Sequence, residues 1–151
     1  MKFDLIAVGR LKKGPLYDLA EEYRGRLQWP LNILEIESKH KDSDKAQADE
    51  ARRILDALKD DAFIVALDER GRSLKSLDFA RKIENLQNAG QSHIQFILGG
   101  ADGLTDEVRN RAGLLLSFGQ QTWPHMLARV MLLEQIYRAQ QILKGHPYQR
   151  E

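Results

Sequence analysis

Short apolar runs alternate with segments of helical periodicity along the whole chain. The apolar runs are Phe3 to Val8, Leu31 to Ile36, Phe63 to Leu67, His93 to Leu98 and Leu114 to Phe118. Between them, apolar residues recur every three or four positions, as they do on helices that bury one face. Strands that alternate with helices are typical of a mostly parallel sheet with helices on both faces. The sequence therefore predicts an α/β fold, and we expect one domain over residues 1–151 because no linker or repeat divides them.

Local signals mark several boundaries of these elements. Pro15 suits the first turn of the first helix, and Gly90 suits the end of the third. Asp44 is expected to begin the second helix because a glutamine follows three residues later, and Thr105 is expected to cap a short fourth helix. Residues 68–72 are predicted to form a loop.

The composition excludes several kinds of chemistry. There is no cysteine, so disulfides, thiolate metal sites and cysteine nucleophiles are absent, and no other ligand spacing predicts a metal site. No run approaches the ~20 apolar residues of a membrane span, and Asp4 interrupts the apolar stretch that a secretory signal would need. We therefore expect a cytoplasmic protein without a membrane partner. The formal net charge of +1 means that RNA binding would have to rest on a local basic surface.

The last predicted helix, from about His125 to Lys144, differs from the others because apolar residues surround it. Such a helix needs cover on more than one side. A domain of 151 residues has little room to bury its terminal helix completely. We therefore expect a homodimer with this helix at the interface.

The turn from Leu98 to Gly103 is rich in glycine and follows a predicted strand. Its glycines fall one residue short of the Gly-x-Gly-x-x-Gly pattern of a dinucleotide site. The earlier loop from Gly9 to Pro15 lacks the lysine and the hydroxyl residue of a phosphate-binding loop. Taken alone, the turn 98–103 is compatible with a tight strand-to-helix corner or with the close approach of a ligand to backbone.

A second polar loop, from Gly119 to Pro124, follows the next predicted strand. Since the carboxyl ends of parallel strands share one edge, both loops are expected to open on the same side of the sheet. In the tail, Tyr148 could stack on a base and Arg150 could bind phosphate. His125 and His146 could each act as a general base.

Several separated motifs occur together in this chain. They are Ala66-Leu67-Asp68 with Gly71, Ile97 to Gly103, Pro124-His125 with Arg129, Tyr137-Arg138-Ala139, and the tail His146 to Glu151. The combination closely resembles the RlmH family, which are bacterial ribosomal RNA large-subunit methyltransferases of the SPOUT class. Gln149 stands where the family usually has histidine, which argues against an essential imidazole at that position.

The resemblance implies an α/β fold with a deep C-terminal trefoil knot and a homodimer. It also implies transfer of a methyl group from S-adenosylmethionine (SAM) to N3 of pseudouridine 1915 in 23S ribosomal RNA (rRNA), without a metal. Because the chain is nearly neutral, we expect the RNA to be recognised within the assembled ribosome. Two alternatives stay open: a knotted methyltransferase that acts on another RNA, and a non-catalytic RNA-binding or ribosome assembly factor.

The resemblance also implies which residues form the site. The cofactor-binding residues would be Leu67, Gly100, Gly119, Gln120, Gln121, Thr122, Trp123 and Pro124. Arg138, Tyr148 and Arg150 would position the RNA. The N3 proton must leave during the reaction, and His125, Asp68 and water all stay open as its acceptor.

Overall fold

The computed structural model describes residues 1–145. Its elements in chain order are β1 (Lys2–Val8), α1 (Pro15–Arg26), β2 (Leu31–Ile36), α2 (Ser43–Ala57), β3 (Phe63–Ser73), α3 (Ser76–Asn88), β4 (His93–Leu98), α4 (Asp106–Arg111), β5 (Leu114–Ser117) and α5 (His125–Leu143). The strands form one parallel sheet in the order β2-β1-β4-β3-β5. In this part of the chain, no helix combines the length and the apolar character needed to cross a membrane.

Helices cover both faces of the sheet, as the alternation of apolar runs predicts. Phe3 and Leu5 of β1 point into one apolar cluster, which also contains buried residues of α1, α3 and α5. Ile6 and Val8 point into a second cluster with α2 and α4. Successive side chains of a strand face opposite sides, so a strand covered on both sides is apolar throughout. The α/β prediction is confirmed.

The polar residues of the buried strand β4 are all hydrogen-bonded at the amino edge of the sheet. His93 Nε2 lies 2.7 Å from Asp4 Oδ2, and Gln95 Nε2 donates to the same oxygen at 3.0 Å. Gln95 Oε1 accepts a hydrogen bond from the backbone N–H of Lys59 at 2.8 Å. Burying these groups costs little because each one has a partner.

Most helix boundaries agree with the sequence prediction. Thr105 caps α4 and accepts a hydrogen bond from the N–H of Val108 at 3.3 Å. The expected start of α2 at Asp44 is wrong, because Asp42 is the cap and accepts from the N–H of Lys45 at 3.0 Å. The fifth strand ends at Ser117, one residue earlier than predicted.

The predicted loop at residues 68–72 is also wrong, because β3 continues to Ser73. Leu67 and Arg72 both pair with Leu116, so the residues between them bulge out of the strand. A Cβ on Gly71 would lie 2.5 Å from the backbone carbonyl of Leu115. Only glycine permits this close contact between the bulge of β3 and the backbone of β5.

The helix α5 is partly covered within the single chain. It packs against α1 and α3, and none of residues 125–143 is exposed. Gln140, buried in α5, accepts a hydrogen bond from the N–H of Gln28 at 2.6 Å. Nine of the 19 residues of α5 are buried and the others are half-buried, so the single chain does not bury this helix completely, and the expected homodimer stays a prediction.

Candidate functional site

A cavity of about 1010 Å³ lies at the carboxyl ends of β3, β4 and β5. Three segments surround it: residues 67–70 of β3, the turn 98–106, and residues 116–125 with the start of α5. Open parallel sheets bind ligands outside the carboxyl ends of their strands, so this is the expected place for a ligand site. The prediction that the two polar loops open on the same edge of the sheet is confirmed.

The glycine turn after β4 is fixed by close packing. A Cβ on Gly100 would lie 2.9 Å from Cγ1 of Val8, and one on Gly99 would lie 2.9 Å from Leu104 Cδ2. Gly103 has a φ of +75° and its N–H donates to the oxygen of Gly100 at 3.0 Å. The backbone of the turn therefore lines the cavity, and a side chain at position 100 would clash with Val8.

Gln47 of α2 holds this turn from outside. Its Nε2 donates to the backbone oxygen of Asp102 at 3.0 Å. In the sequence, Gln47 serves only as a marker of the expected helix start, whereas in the structure its side chain makes this contact across 55 positions. Long-range contacts of this kind leave no signal in local spacing.

The loop after β5 is held by its own side chains. Ser117 Oγ donates to the oxygen of Gly119 at 2.9 Å, and Trp123 Nε1 donates to the oxygen of Phe118 at 3.1 Å. Gly119 has a φ of +111°, a conformation that L side chains rarely adopt. The loop ends at Pro124, which precedes the first turn of α5. The indole of Trp123 stays 39% exposed at the rim of the cavity.

An ion pair that no sequence pattern indicated joins two walls of the cavity. Arg109 Nη1 of α4 lies 3.3 Å from Asp68 Oδ2, and the side chains are 14% and 8% exposed. The N–H of Arg70 donates to the other oxygen, Asp68 Oδ1, at 2.8 Å. Both oxygens of Asp68 are therefore engaged, and its role in this arrangement is to hold the bulge of β3 against α4.

Arg109 makes two further contacts that fix the same region. It donates to the backbone oxygen of Leu104 and to the carboxylate of Asp106. The hydrogen bond from Arg109 lowers the pKa of Asp106, and the same bond, opposed by partial burial, raises the pKa of Arg109. A basic residue in the last turn of a helix is common, so position alone did not single out Arg109.

Seven of the eight residues expected to bind the cofactor line the cavity: Leu67, Gly100, Gly119, Gln121, Thr122, Trp123 and Pro124. Gln120 is not among the lining residues. His125 also lines the cavity, whereas Arg138 lies farther along α5 in an ion pair with Glu134 at 3.0 Å. Tyr148 and Arg150, together with His146 and Gln149, lie outside the described residues.

His125 sits where α5 meets the loop after β1. A Cβ on Gly9 would lie 3.4 Å from His125 Nε2 and 2.9 Å from Met126 Cε. Gly9 itself has a φ of +96°. The side chain of His125 forms no hydrogen bond with another residue in the range 1–145. Its imidazole is therefore a free donor or acceptor at the cavity wall.

Comparison with known proteins gives one consistent answer. A family described as "Predicted SPOUT methyltransferase" matches residues 1–149. "Ribosomal RNA large subunit methyltransferase H" of Rhodospirillum centenum is 54% identical over 151 residues, which cover 99% of both chains. The protein of the same name from Zymomonas mobilis is 44% identical and covers 100% of this chain and 99% of its own. This chain belongs to the RlmH family of SPOUT methyltransferases.

Two solved structures share the fold of this chain. A probable methylase family protein from Haemophilus influenzae matches with a TM-score of 0.57 at 13% identity, over 95% of this chain and 68% of that one. A ribosomal RNA small subunit methyltransferase E from Neisseria gonorrhoeae, bound to S-adenosyl methionine, matches with a TM-score of 0.51 at 16% identity. This match covers 95% of the chain described here and 66% of the Neisseria gonorrhoeae chain.

Proposed function

We propose that this protein uses SAM to methylate N3 of pseudouridine 1915 in 23S rRNA, within the assembled ribosome in the cytoplasm. The observation that carries the proposal is the cavity at the carboxyl ends of β3, β4 and β5, in a chain that is 54% identical to a ribosomal RNA large subunit methyltransferase H. The reaction class follows from the family. The particular nucleotide follows from the resemblance of the motifs.

The residues around the cavity fit SAM. Its volume of about 1010 Å³ suits a molecule of this size, because ligand sites commonly measure roughly 300–1,000 Å³. The glycine turn lines the cavity with its backbone, and we propose that this backbone contacts the cofactor. We propose that Leu67, Gly100 and the segment 119–124 hold it. SAM supplies an activated methyl group when it is bound.

The chain contributes alignment and a place for the departing proton. Methyl transfer would require the methyl carbon, its sulfur leaving group and N3 to be held in line, and the residues around the cavity would supply that alignment. Both oxygens of Asp68 are already engaged, one by Arg109 and the other by the N–H of Arg70. We propose that His125, which has no such partner in residues 1–145, accepts the N3 proton.

RNA contacts are proposed for three residues farther along the chain. Arg138 of α5, whose side chain is 24% exposed and pairs with Glu134, is proposed to contact an RNA phosphate. Tyr148 and Arg150 belong to the tail motif that supports the family resemblance, and their proposed roles are stacking on a base and binding phosphate.

The decisive experiment uses purified protein, labelled SAM and ribosomes from a strain that lacks the corresponding gene. We expect one labelled methyl group per ribosome, and nucleoside mass spectrometry should place it on pseudouridine 1915. Label on a different RNA would support a knotted methyltransferase of other specificity. If calorimetry detected no SAM binding even with ribosomes present, a non-catalytic RNA-binding or assembly factor would replace this proposal.

We also propose a homodimer, supported by an apolar groove of about 560 Å³ beside α5. Leu19 and Tyr23 of α1 line one side, and Leu127 and Met131 of α5 line the other. Residues 116–119 border both this groove and the candidate cofactor cavity. A second copy seated there would therefore lie beside the reaction site and extend the surface that RNA meets.

Light scattering during gel filtration tests the homodimer. The wild-type protein should have twice the mass of one chain, and Leu19→Asp in the groove should shift it toward the monomer. Leu34→Asp is the matched control, because Leu34 is similarly exposed, at 44% against 39%, but lies on the edge strand β2. A monomeric wild-type protein would refute the dimer.

The single domain over residues 1–151 and its trefoil knot are proposals that rest on the family. The family relationship supports the knot, and the close contact of Gly71 with Leu115 holds the bulged part of β3 tightly against β5. A crystal structure that traces the chain from β3 to its last residue would test both proposals.

A further inference from the structure

The loop between β1 and α1 carries a local group of positive charges. Arg10, Lys12 and Lys13 are all exposed, and no acidic residue occurs between Gly9 and Tyr17. None of the three forms an ion pair with a side chain in residues 1–145. The whole protein has 23 basic and 22 acidic residues, so this loop is a local exception to a balanced charge.

The backbone of the loop is held rigidly. The N–H of Gly9 donates to the oxygen of Ile36 at 2.8 Å, and Arg129 Nη2 donates to the oxygen of Gly9 at 3.1 Å. The N–H of Leu11 donates to Glu35 Oε2 at 2.8 Å, and Arg129 also pairs with Glu35. These contacts fix the chain on both sides of Arg10, so the basic side chains project from a defined base.

This basic loop lies next to the candidate reaction site. β1 pairs with β4, and Val8 packs against the position of Gly100 in the glycine turn. Gly9 packs against His125 at the start of α5. Arg10 therefore directly follows a residue that packs against His125 at the cavity, and Lys12 and Lys13 lie in the same loop.

We propose that the β1–α1 loop binds the phosphate backbone of the substrate RNA and sets its position relative to the cavity. Exposed lysine and arginine side chains on a rigid loop suit this role, because phosphate contacts fix register and orientation without reading sequence. The inference rests on the proposed function and adds a binding surface outside the cofactor site.

The test compares two double variants that each remove two positive charges. Lys12→Ala/Lys13→Ala changes the loop, and Lys2→Ala/Lys59→Ala changes two exposed lysines at the opposite edge of the sheet. For the loop variant we expect the KM for ribosomes to rise roughly tenfold, with kcat and SAM affinity unchanged. The slope of log(kcat/KM) against log salt concentration should fall by about one for each phosphate that the loop no longer binds. The control should match the wild-type protein in all of these measurements.

Binding of a fluorescent 23S rRNA fragment containing position 1915 gives an independent measurement. Weaker binding by the loop variant, with wild-type binding by the control, supports the proposal even if the methylation assay fails. Equal weakening in both variants would show a general effect of charge and overturn it. Normal fragment binding together with impaired methylation of ribosomes would also overturn it, because the loop would then contact ribosomal protein. Failure of wild-type methylation itself counts against the proposed function only.

Discussion

Arg129 in the last helix donates a hydrogen bond to the backbone oxygen of Gly9 at 3.1 Å, across 120 positions of the chain. The arginine is 2% exposed and also pairs with Glu35 at the end of β2. A buried guanidinium is tolerated only when it has such partners. This cluster therefore joins α5 to the carboxyl ends of β1 and β2, close to the proposed site.

The Glu35 carboxylate should make stability depend on pH. Its partial burial opposes the charged form, but the hydrogen bonds from Leu11 and Arg129 outweigh this effect and lower the pKa of Glu35 below its ordinary value of 4.5. The contribution is therefore present above the unfolded pKa and is lost as the pH falls through the folded pKa. Because solvent screens the exposed part of this carboxylate, we expect Glu35→Gln to lower the free energy of unfolding by only about 1 kcal/mol at pH 7.

Urea denaturation at several pH values between 7 and 3 checks this prediction. The difference between the wild-type protein and Glu35→Gln should shrink toward pH 3. Glu37→Gln is the control, because the side chain of Glu37 is exposed two residues farther on, and it should keep the wild-type pH dependence. A constant difference across this range would contradict the prediction.

A methyl group at Gly71 should be much more damaging than one at Gly25. Gly71→Ala would place Cβ 2.5 Å from the backbone carbonyl of Leu115, whereas nothing lies within 4 Å of the position on Gly25. We expect a loss of about 3 kcal/mol or failure to fold for the first variant, because backbone cannot move aside like a side chain. Gly25→Ala lies in α1 and should gain roughly 0.5–1 kcal/mol. Thermal unfolding measures the stability of both variants. Similar stabilities would contradict the close contact between Gly71 and the backbone of Leu115.

Arg109→Ala should weaken SAM binding, because Arg109 lines the cavity and holds two of its walls together. Without its guanidinium, the bulge of β3, the turn after β4 and α4 lose their shared partner. We expect roughly tenfold weaker binding by calorimetry, in line with a cost of about 1.4 kcal/mol. Arg111→Ala removes an exposed arginine from the same helix and should bind like the wild-type protein. Equal affinities in both variants would show that the cavity does not need this ion pair.

His125→Asn should affect the methyl transfer step more than cofactor binding. A general base contributes about 10²–10⁴-fold to a rate, so kcat should fall by at least roughly 100-fold if no water takes over. SAM affinity should change little, and His40→Asn, in the exposed loop after β2, should retain full activity. Single-turnover methylation of ribosomes measures this step directly. A normal rate for His125→Asn would leave water as the acceptor.

The sheet could be predicted from the sequence because its signals are local. Every residue of His93 to Leu98 is buried, and the apolar run that predicts this strand has the same bounds. The sequence also predicts that the loops after β4 and β5 lie on the same edge of the sheet, because the carboxyl ends of parallel strands share an edge. A ligand site at the carboxyl ends of the strands can therefore be predicted before the strand order is known.

Contacts between distant residues could not be predicted in this way. Asp68 and Arg109 are 41 positions apart, and Glu35 and Arg129 are 94 apart. The extension of β3 was missed because the charged residues around Gly71 have low strand propensity, while pairing with β5 overrides that local preference. Tertiary context decided these features.

The position of α5 in the fold has a consequence for how the protein is made. Gln140 binds the backbone at Gln28, and Arg129 binds Glu35, so α5 closes loops of 112 and 94 residues. We expect loops of this length to close late in folding. The chain loses conformational entropy when the loop closes, before the new contacts can compensate for that loss. A nascent chain that has completed only its first four strands would therefore lack cofactor affinity, and binding should arise in one cooperative step when the final helix docks.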